Sequence, residues 1–94
     1  MDLEERITKA EAYFREVVPL EKAICGVSEG GITRRDNAIV VTMGGKIVLS
    51  LMHQDLLAHA SNEAFRSMLD RRWRRALAMW ESQRLRGRRR MRLG

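Results

Sequence analysis

The strongest constraint on the fold is an apolar stripe in the last third of the chain. Its members recur at steps of four, four, three and four residues and are Phe65, Leu69, Trp73, Ala76 and Trp80, widened by Met68 and Leu77. This spacing is that of one face of an α-helix. Either Ser61 or Asn62 can cap its start, because short polar side chains accept hydrogen bonds from the first free amides. The pattern predicts a long helix near residues 62–86.

A second apolar stripe predicts a helix at the N-terminus. It recurs at steps of four and three residues and consists of Leu3, Ile7, Ala10, Phe14 and Val17. Three carboxylates lie in its first turn, where the helix dipole favours negative charge. Pro19 cannot donate a backbone hydrogen bond and disfavours helical geometry at Val18, so we expect the helix to stop or kink there. Residues 20–25 can add a short further turn.

Two runs rich in β-branched residues predict a β-hairpin in the middle of the chain. Residues 38–42 and 46–52 are separated by Met43, Gly44 and Gly45, and paired glycines suit a tight turn. Loop signals also bracket a possible short strand over residues 32–34, and residues 55–60 can form a short helix.

The strands of this hairpin are apolar on both faces. Ile39 and Val41 point one way, whereas Ala38 and Val40 point the other. Both faces therefore need cover. Either two helices sandwich the hairpin, or a second subunit covers one side. Because such a small sheet is marginal alone, we expect a homo-oligomer or a subunit of a larger complex.

Together these elements predict an α+β fold, a small α-β-β-α domain. It comprises an N-terminal amphipathic helix over 2–18, the hairpin over 38–52 and a long basic helix near 62–86. We assign residues 1–86 to one domain and residues 87–94 to an arginine-rich C-terminal tail, since the apolar pattern fails before Gly87.

Positive charge is concentrated at the C-terminal end of the chain. The formal net charge is +6, but residues 1–60 carry −2 and residues 61–94 carry +8. Clustered arginines that neutralise phosphates give salt-dependent, mostly sequence-independent binding. A solvated helix face or contact with an acidic protein surface would use the same residues. The candidate binding residues are Arg71, Arg72, Arg74, Arg75, Arg84, Arg86, Arg88, Arg89, Arg90 and Arg92.

The two tryptophans could serve either binding or packing. Trp73 and Trp80 lie seven residues apart, between arginines, and aromatic side chains in such places can stack on single-stranded bases. Both also fall on the apolar stripe, and aromatic residues at helical spacing usually build core. We therefore predict that both are core residues.

Signs of catalysis, metal binding or membrane insertion are weak. His53 and His59 are six residues apart, unlike two ligands on one helical face, and Cys25 has no second cysteine to join it. The glycine pairs lack the spacing of a phosphate loop, and the carboxylates of the first helix should be solvated. No run approaches the length of a membrane span. We predict a cytoplasmic protein that is not an enzyme and needs no cofactor or metal.

The order helix, hairpin, helix and basic tail is similar in outline to the small head-tail joining proteins of lambda-like phages. That resemblance implies a structural adaptor in a virion. The residues themselves favour a small non-enzymatic binding protein that presents an arginine-rich helix, with nucleic acid as first-choice partner. The alternative is a protein-protein adaptor or structural subunit that contacts an acidic protein surface.

Overall fold

The computed structural model describes residues 2–59 and 61–93, with side chains described as far as residue 86. The fold is α+β, as predicted. Its elements in chain order are α1 (Leu3–Cys25), β1 (Gly30–Arg34), β2 (Ala38–Met43), β3 (Lys46–Met52), α2 (His53–Leu56) and α3 (Asn62–Leu93). No helix in this described part is both long and apolar enough to cross a lipid bilayer.

Helix α1 continues beyond the predicted boundary. Asp2 caps it by accepting a hydrogen bond from the Glu5 amide at 2.8 Å, and Gly26, in the left-handed conformation at φ 68°, closes its other end. The prediction that the helix stops at residue 18 is wrong, because Pro19 lies inside it. Proline removes one backbone hydrogen bond, but Val18 is fully packed and Cys25 contacts the core, so packing holds the helix on both sides of the proline.

The sheet has three antiparallel strands in the order β1-β2-β3. Strand β1 occupies and extends the segment in which the sequence indicated a possible short strand. Gly44 and Gly45 form the β2–β3 turn with φ values of 61° and 77°, the left-handed pair that a type I′ turn requires. The pairing shifts register after Val41, so that Val41 faces Leu49 whereas Thr42 faces Ile47. This bulge leaves Ile47 63% exposed although Leu49 is buried.

One core lies between the sheet and both long helices. Ile39, Val41 and Met43 of β2 are fully buried and belong to one cluster with residues of α1 and α3. The two helices also touch each other, because the rings of Phe14 and Trp73 pack edge to face with centroids 5.8 Å apart. Both helices thus cover the same face of β2, and the expectation that they sandwich the hairpin is wrong.

The opposite face of β2 does not need a helix to be shielded. Ala38 and Val40 point away from the core cluster, yet they are only 4% and 5% exposed. Val40 is paired with Thr33 on one side and Ser50 on the other. A small side chain on a central strand is shielded by its cross-strand neighbours. The apolar character of both faces was therefore a weak reason to expect a second subunit.

Candidate nucleic-acid interface on helix α3

The structure places the predicted arginines along one helix. Those with described side chains are Arg71, Arg72, Arg74, Arg75, Arg84 and Arg86, and all except the half-buried Arg72 and Arg84 are exposed. The backbone helix continues to Leu93 without a break at the predicted tail boundary. The side chains of Arg88, Arg89, Arg90 and Arg92 lie outside the described residues. The division at residue 87 stays a prediction.

Three of these arginines share one face of α3, which we call the cationic face: Arg71, Arg75 and Arg86. At about 100° per residue they fall within an arc of about 60°. The other exposed residues of this arc, Ala64 and Ser82, are small and uncharged, whereas Ala78 and the exposed Met79 each lie about 20° outside it. The cationic face is therefore a positive stripe with an apolar side chain at one border.

The acidic residues of α3 lie elsewhere on the helix. Glu63, Asp70 and Glu81 fall within about 20° of one another on the side that faces α1. Asp70 accepts a hydrogen bond from the Tyr13 hydroxyl at 3.0 Å, and Glu81 lies 3.7 Å from the Cys25 sulfur. The cationic face thus carries no carboxylate, whereas the α1 side of α3 carries both signs, because Arg66 and Arg74 lie there near the acids. The sequence contains this signal at helical spacing, but which side faces α1 requires the tertiary structure.

Side-chain contacts distinguish the cationic face from Arg72, Arg74 and Arg84. Arg74 forms an ion pair with Asp70 at 3.1 Å, and Arg72 lies 3.8 Å from Asp55. The Arg84 guanidinium stacks over the Trp80 ring, 4.7 Å from its centroid. Within residues 2–59 and 61–86, the arginines of the cationic face have no acidic side chain within 4.0 Å. Their charge is available to a partner.

The tryptophans are core residues, as predicted. Trp73 and Trp80 are 4% and 5% exposed and belong to the central cluster. Trp80 lies beneath the β2–β3 turn, near Gly44. Neither indole presents a free face to solvent.

A groove between β3 and α3 was not visible in the sequence. It encloses about 450 Å³, and its apolar lining includes Ile47, Met79 and the edge of Trp80. Arg72 and Arg75 also line it. Ile47 and Met79 are 63% and 60% exposed, and β3 is hydrogen-bonded to another strand on one side only. Residues from two distant elements form this groove, so no local pattern could reveal it.

Two charged residues of α1 are buried, and the sequence suggested solvation for the first of them, Glu11. Glu11 is only 7% exposed and accepts two hydrogen bonds from Arg34, at 2.5 and 3.3 Å, which tie α1 to β1. These hydrogen bonds hold the pKa of the Glu11 carboxyl below its usual value, against the opposing effect of burial. The expectation that this carboxylate is solvated is wrong, since its position beside the apolar stripe brings it onto the sheet edge.

Arg6 is the second buried charge. It is 8% exposed, and its Nη1 donates to the carbonyls of Leu56 and His59 at 2.5 and 2.6 Å. Its guanidinium also lies 5.9 Å from the centre of the Phe65 ring. Arg6 of α1 thereby holds the end of α2 and the loop that follows it, and it also contacts the start of α3. Its role is structural.

The groups that could carry chemistry are poorly placed for it. Burial, reinforced by Glu21 and Glu81, raises the pKa of the Cys25 thiol, which disfavours the reactive thiolate. Within the described part of the chain, no three His, Cys, Asp or Glu side chains converge as a metal site would need. His53 is buried, and no hydrogen-bond partner lies near its Nε2 in that part of the chain.

Comparisons with models of known protein families, with curated proteins and with solved structures found no match to this chain.

Proposed function

We propose that this protein is a small non-enzymatic nucleic-acid-binding protein that holds phosphates on the cationic face of α3. One observation carries the proposal: Arg71, Arg75 and Arg86 share one exposed face of α3 that carries no carboxylate, whereas Asp70 and Glu81 face α1. A helix that merely needed solubility would gain from mixing the two signs, because i,i+4 pairs stabilise it. Here Arg71 and Arg75 lie at that spacing with like charge, which costs stability.

The mechanism is electrostatic. Each arginine that neutralises a phosphate releases condensed counterions, so affinity falls as salt rises. The planar guanidinium forms two parallel hydrogen bonds to phosphate oxygens. Contacts of this kind position the protein without reading the base sequence. Binding should therefore be strong at low salt and similar for unrelated sequences.

The test is a salt titration of binding to a labelled oligonucleotide. The triple variant R71Q/R75Q/R86Q removes the cationic face, and the matched control R15Q/R35Q/K46Q removes three exposed cations on α1, in the β1–β2 loop and on β3. Both variants lower the net charge of +6 by three. We expect the first to flatten the slope of log affinity against log salt by about 2.7, near 0.9 for each lost phosphate contact on a duplex, and the control to change it little.

Three results would count against the proposal. Equal losses in both triple variants would show that net charge, rather than the cationic face, determines binding. No binding by the intact protein at tens of micromolar in low salt would refute nucleic-acid binding altogether. Deleting residues 84–94 removes six arginines, Arg86 among them, but spares every residue of the core cluster, so the fold should survive. If that deletion leaves the salt slope unchanged, the C-terminal arginines make no contact with phosphates.

The groove between β3 and α3 supports a second candidate function, a protein-protein adaptor. An exposed apolar pair, Ile47 and Met79, lies beside two arginines and an unpaired strand edge. An acidic segment could add a strand there. The double variant I47S/M79S, which changes no charge, would then abolish capture of one acidic protein and leave the salt slope on nucleic acid unaffected.

The groove between β3 and α3 could also bind a second copy of this chain. A second copy would bring Arg72 and Arg75 against the same residues of its twin if the two grooves met face to face, and like charges oppose that arrangement. Light scattering that shows a monomer at tens of micromolar would exclude an oligomer; a dimer abolished by I47S/M79S would place its interface in this groove.

A further inference from the structure

All five aromatic residues of the chain lie in its described part: Tyr13, Phe14, Phe65, Trp73 and Trp80. Four of them are buried, with exposures of 0% for Phe14, 3% for Phe65, 4% for Trp73 and 5% for Trp80. Proteins that hold single strands stack successive bases on exposed aromatic faces. These four side chains are too deeply buried to do so.

Tyr13 is the fifth aromatic residue and is also engaged. Its ring packs edge to face against Phe14 with centroids 5.3 Å apart, and its hydroxyl donates to Asp70. It lies between α1 and α3, on the side of the helix that carries the acids. A base that stacked on Tyr13 would bring its phosphate towards Asp70 and away from the cationic face.

The cationic face has the shape that suits a groove. Ala78 and Ser82, between Arg75 and Arg86, are small, so the helix backbone can approach a partner closely there, with the exposed Met79 and Leu85 on either side. A helix with its side chains is about 10–12 Å wide, and the major groove of B-form DNA is about 12 Å wide. Arg71 and Arg86 are separated by about 22 Å along the axis at 1.5 Å per residue, which can span phosphates at both ends of a groove crossing.

The flanks of the cationic face complete the arrangement. Arg72 and Arg74 lie on opposite sides of it, with side-chain exposures of 39% and 78%, and each pairs with one aspartate. Exposed pairs of this kind contribute little to stability, so a phosphate can replace the carboxylate. Cations on both flanks of a groove-sized helix match the two phosphate backbones that border a groove.

We infer that the partner is duplex DNA, with α3 lying in the major groove and its arginines on the bordering phosphates. This inference rests on the proposed function and adds the class of nucleic acid. The major groove of A-form RNA is deep and narrow and does not admit a helix, so duplex RNA should be a poorer ligand.

The experiment compares three labelled ligands of one sequence: duplex DNA, single-stranded DNA and duplex RNA. A length of about 20 base pairs exceeds the span of α3, which is about 48 Å. Fluorescence anisotropy of the intact chain is measured from about 50 to about 200 mM salt. We expect duplex DNA to bind at least about tenfold more tightly than single strands, because the duplex carries the denser charge and no base can stack.

A variant tests whether α3 enters the groove. In A78Q/S82Q, bulkier neutral side chains fill the space between the arginines, while A23Q/S28Q makes the same neutral changes at exposed positions outside α3 as a control. Affinity for duplex DNA should fall about tenfold or more in A78Q/S82Q if the helix enters the groove, since backbone approach is blocked while every arginine remains. Circular dichroism and thermal melting confirm that both variants keep the fold.

The outcomes separate the inference from the function on which it rests. Tighter or equal binding of single strands, or of duplex RNA, would overturn duplex DNA as the partner but leave nucleic-acid binding standing. Unchanged affinity of A78Q/S82Q would overturn the groove placement. Failure to bind any of the three ligands at low salt would overturn the proposed function itself.

Discussion

Replacing Trp73 with alanine tests the core on which the placement of α3 depends. The indole is 4% exposed and packs edge to face on Phe14. An aromatic side chain of this kind buries about 200 Å², which at about 25 cal/mol per Å² corresponds to about 5 kcal/mol of transfer free energy. Alanine retains a small part of it, so we expect W73A to lose about 4 kcal/mol of unfolding free energy.

That loss is large for a domain of this size. At about 0.05–0.15 kcal/mol per residue, 94 residues correspond to a total stability of about 5–14 kcal/mol. The midpoint of thermal unfolding should fall by about 16–32 °C, since each kcal/mol lowers it by about 4–8 °C. Urea unfolding followed by far-UV circular dichroism measures the free energy directly. W73F, which keeps an aromatic ring opposite Phe14, should lose less.

The matched control is M79A on the same helix. Met79 is 60% exposed, so its truncation should change the unfolding free energy by no more than about 0.5 kcal/mol. A loss below about 1 kcal/mol in W73A, or one equal to that of M79A, would refute the core assignment. It would also return Trp73 to consideration as a stacking surface for single strands.

Three further predictions concern the buried polar groups. Because Arg34 lowers the pKa of Glu11, the folded carboxylate contributes stability above its unfolded pKa of about 4.3, and this is lost as the pH falls through the lower folded value. Urea unfolding at pH 5 and below should show a steeper loss in the wild type than in E11Q, and parallel losses would contradict the pairing. Burial and Asp70 raise the pKa of Tyr13 to about 12, so absorbance of the single tyrosine should titrate near that pH while circular dichroism still reports a fold; a midpoint near the usual value of about 10 would contradict the contact. R6A leaves two carbonyls without their donor and should cost about 2–4 kcal/mol in urea unfolding, whereas R15A, an exposed change on the same helix, should cost little.

Both long helices and the hairpin could be predicted from the sequence. Apolar residues every three or four positions, and β-branched runs around paired glycines, are local signals, because each arises from the geometry of one element. The burial of Trp73 and Trp80 followed from the same periodicity. The accumulation of arginine near the C-terminus was equally plain, since composition alone shows it.

Only the tertiary structure decided how those elements are used. The continuation of α1 through Pro19 depends on core contacts made by residues on both sides of the proline, and the bulge that exposes Ile47 depends on pairing with β2. Whether an arginine has an acidic partner also depends on the assembled fold. Asp55 pairs with Arg72 from a different element, and the acidic side of α3 packs against α1. Local spacing determines that a helix forms and which of its faces is apolar, whereas long-range packing determines which of its charges remain available to a partner.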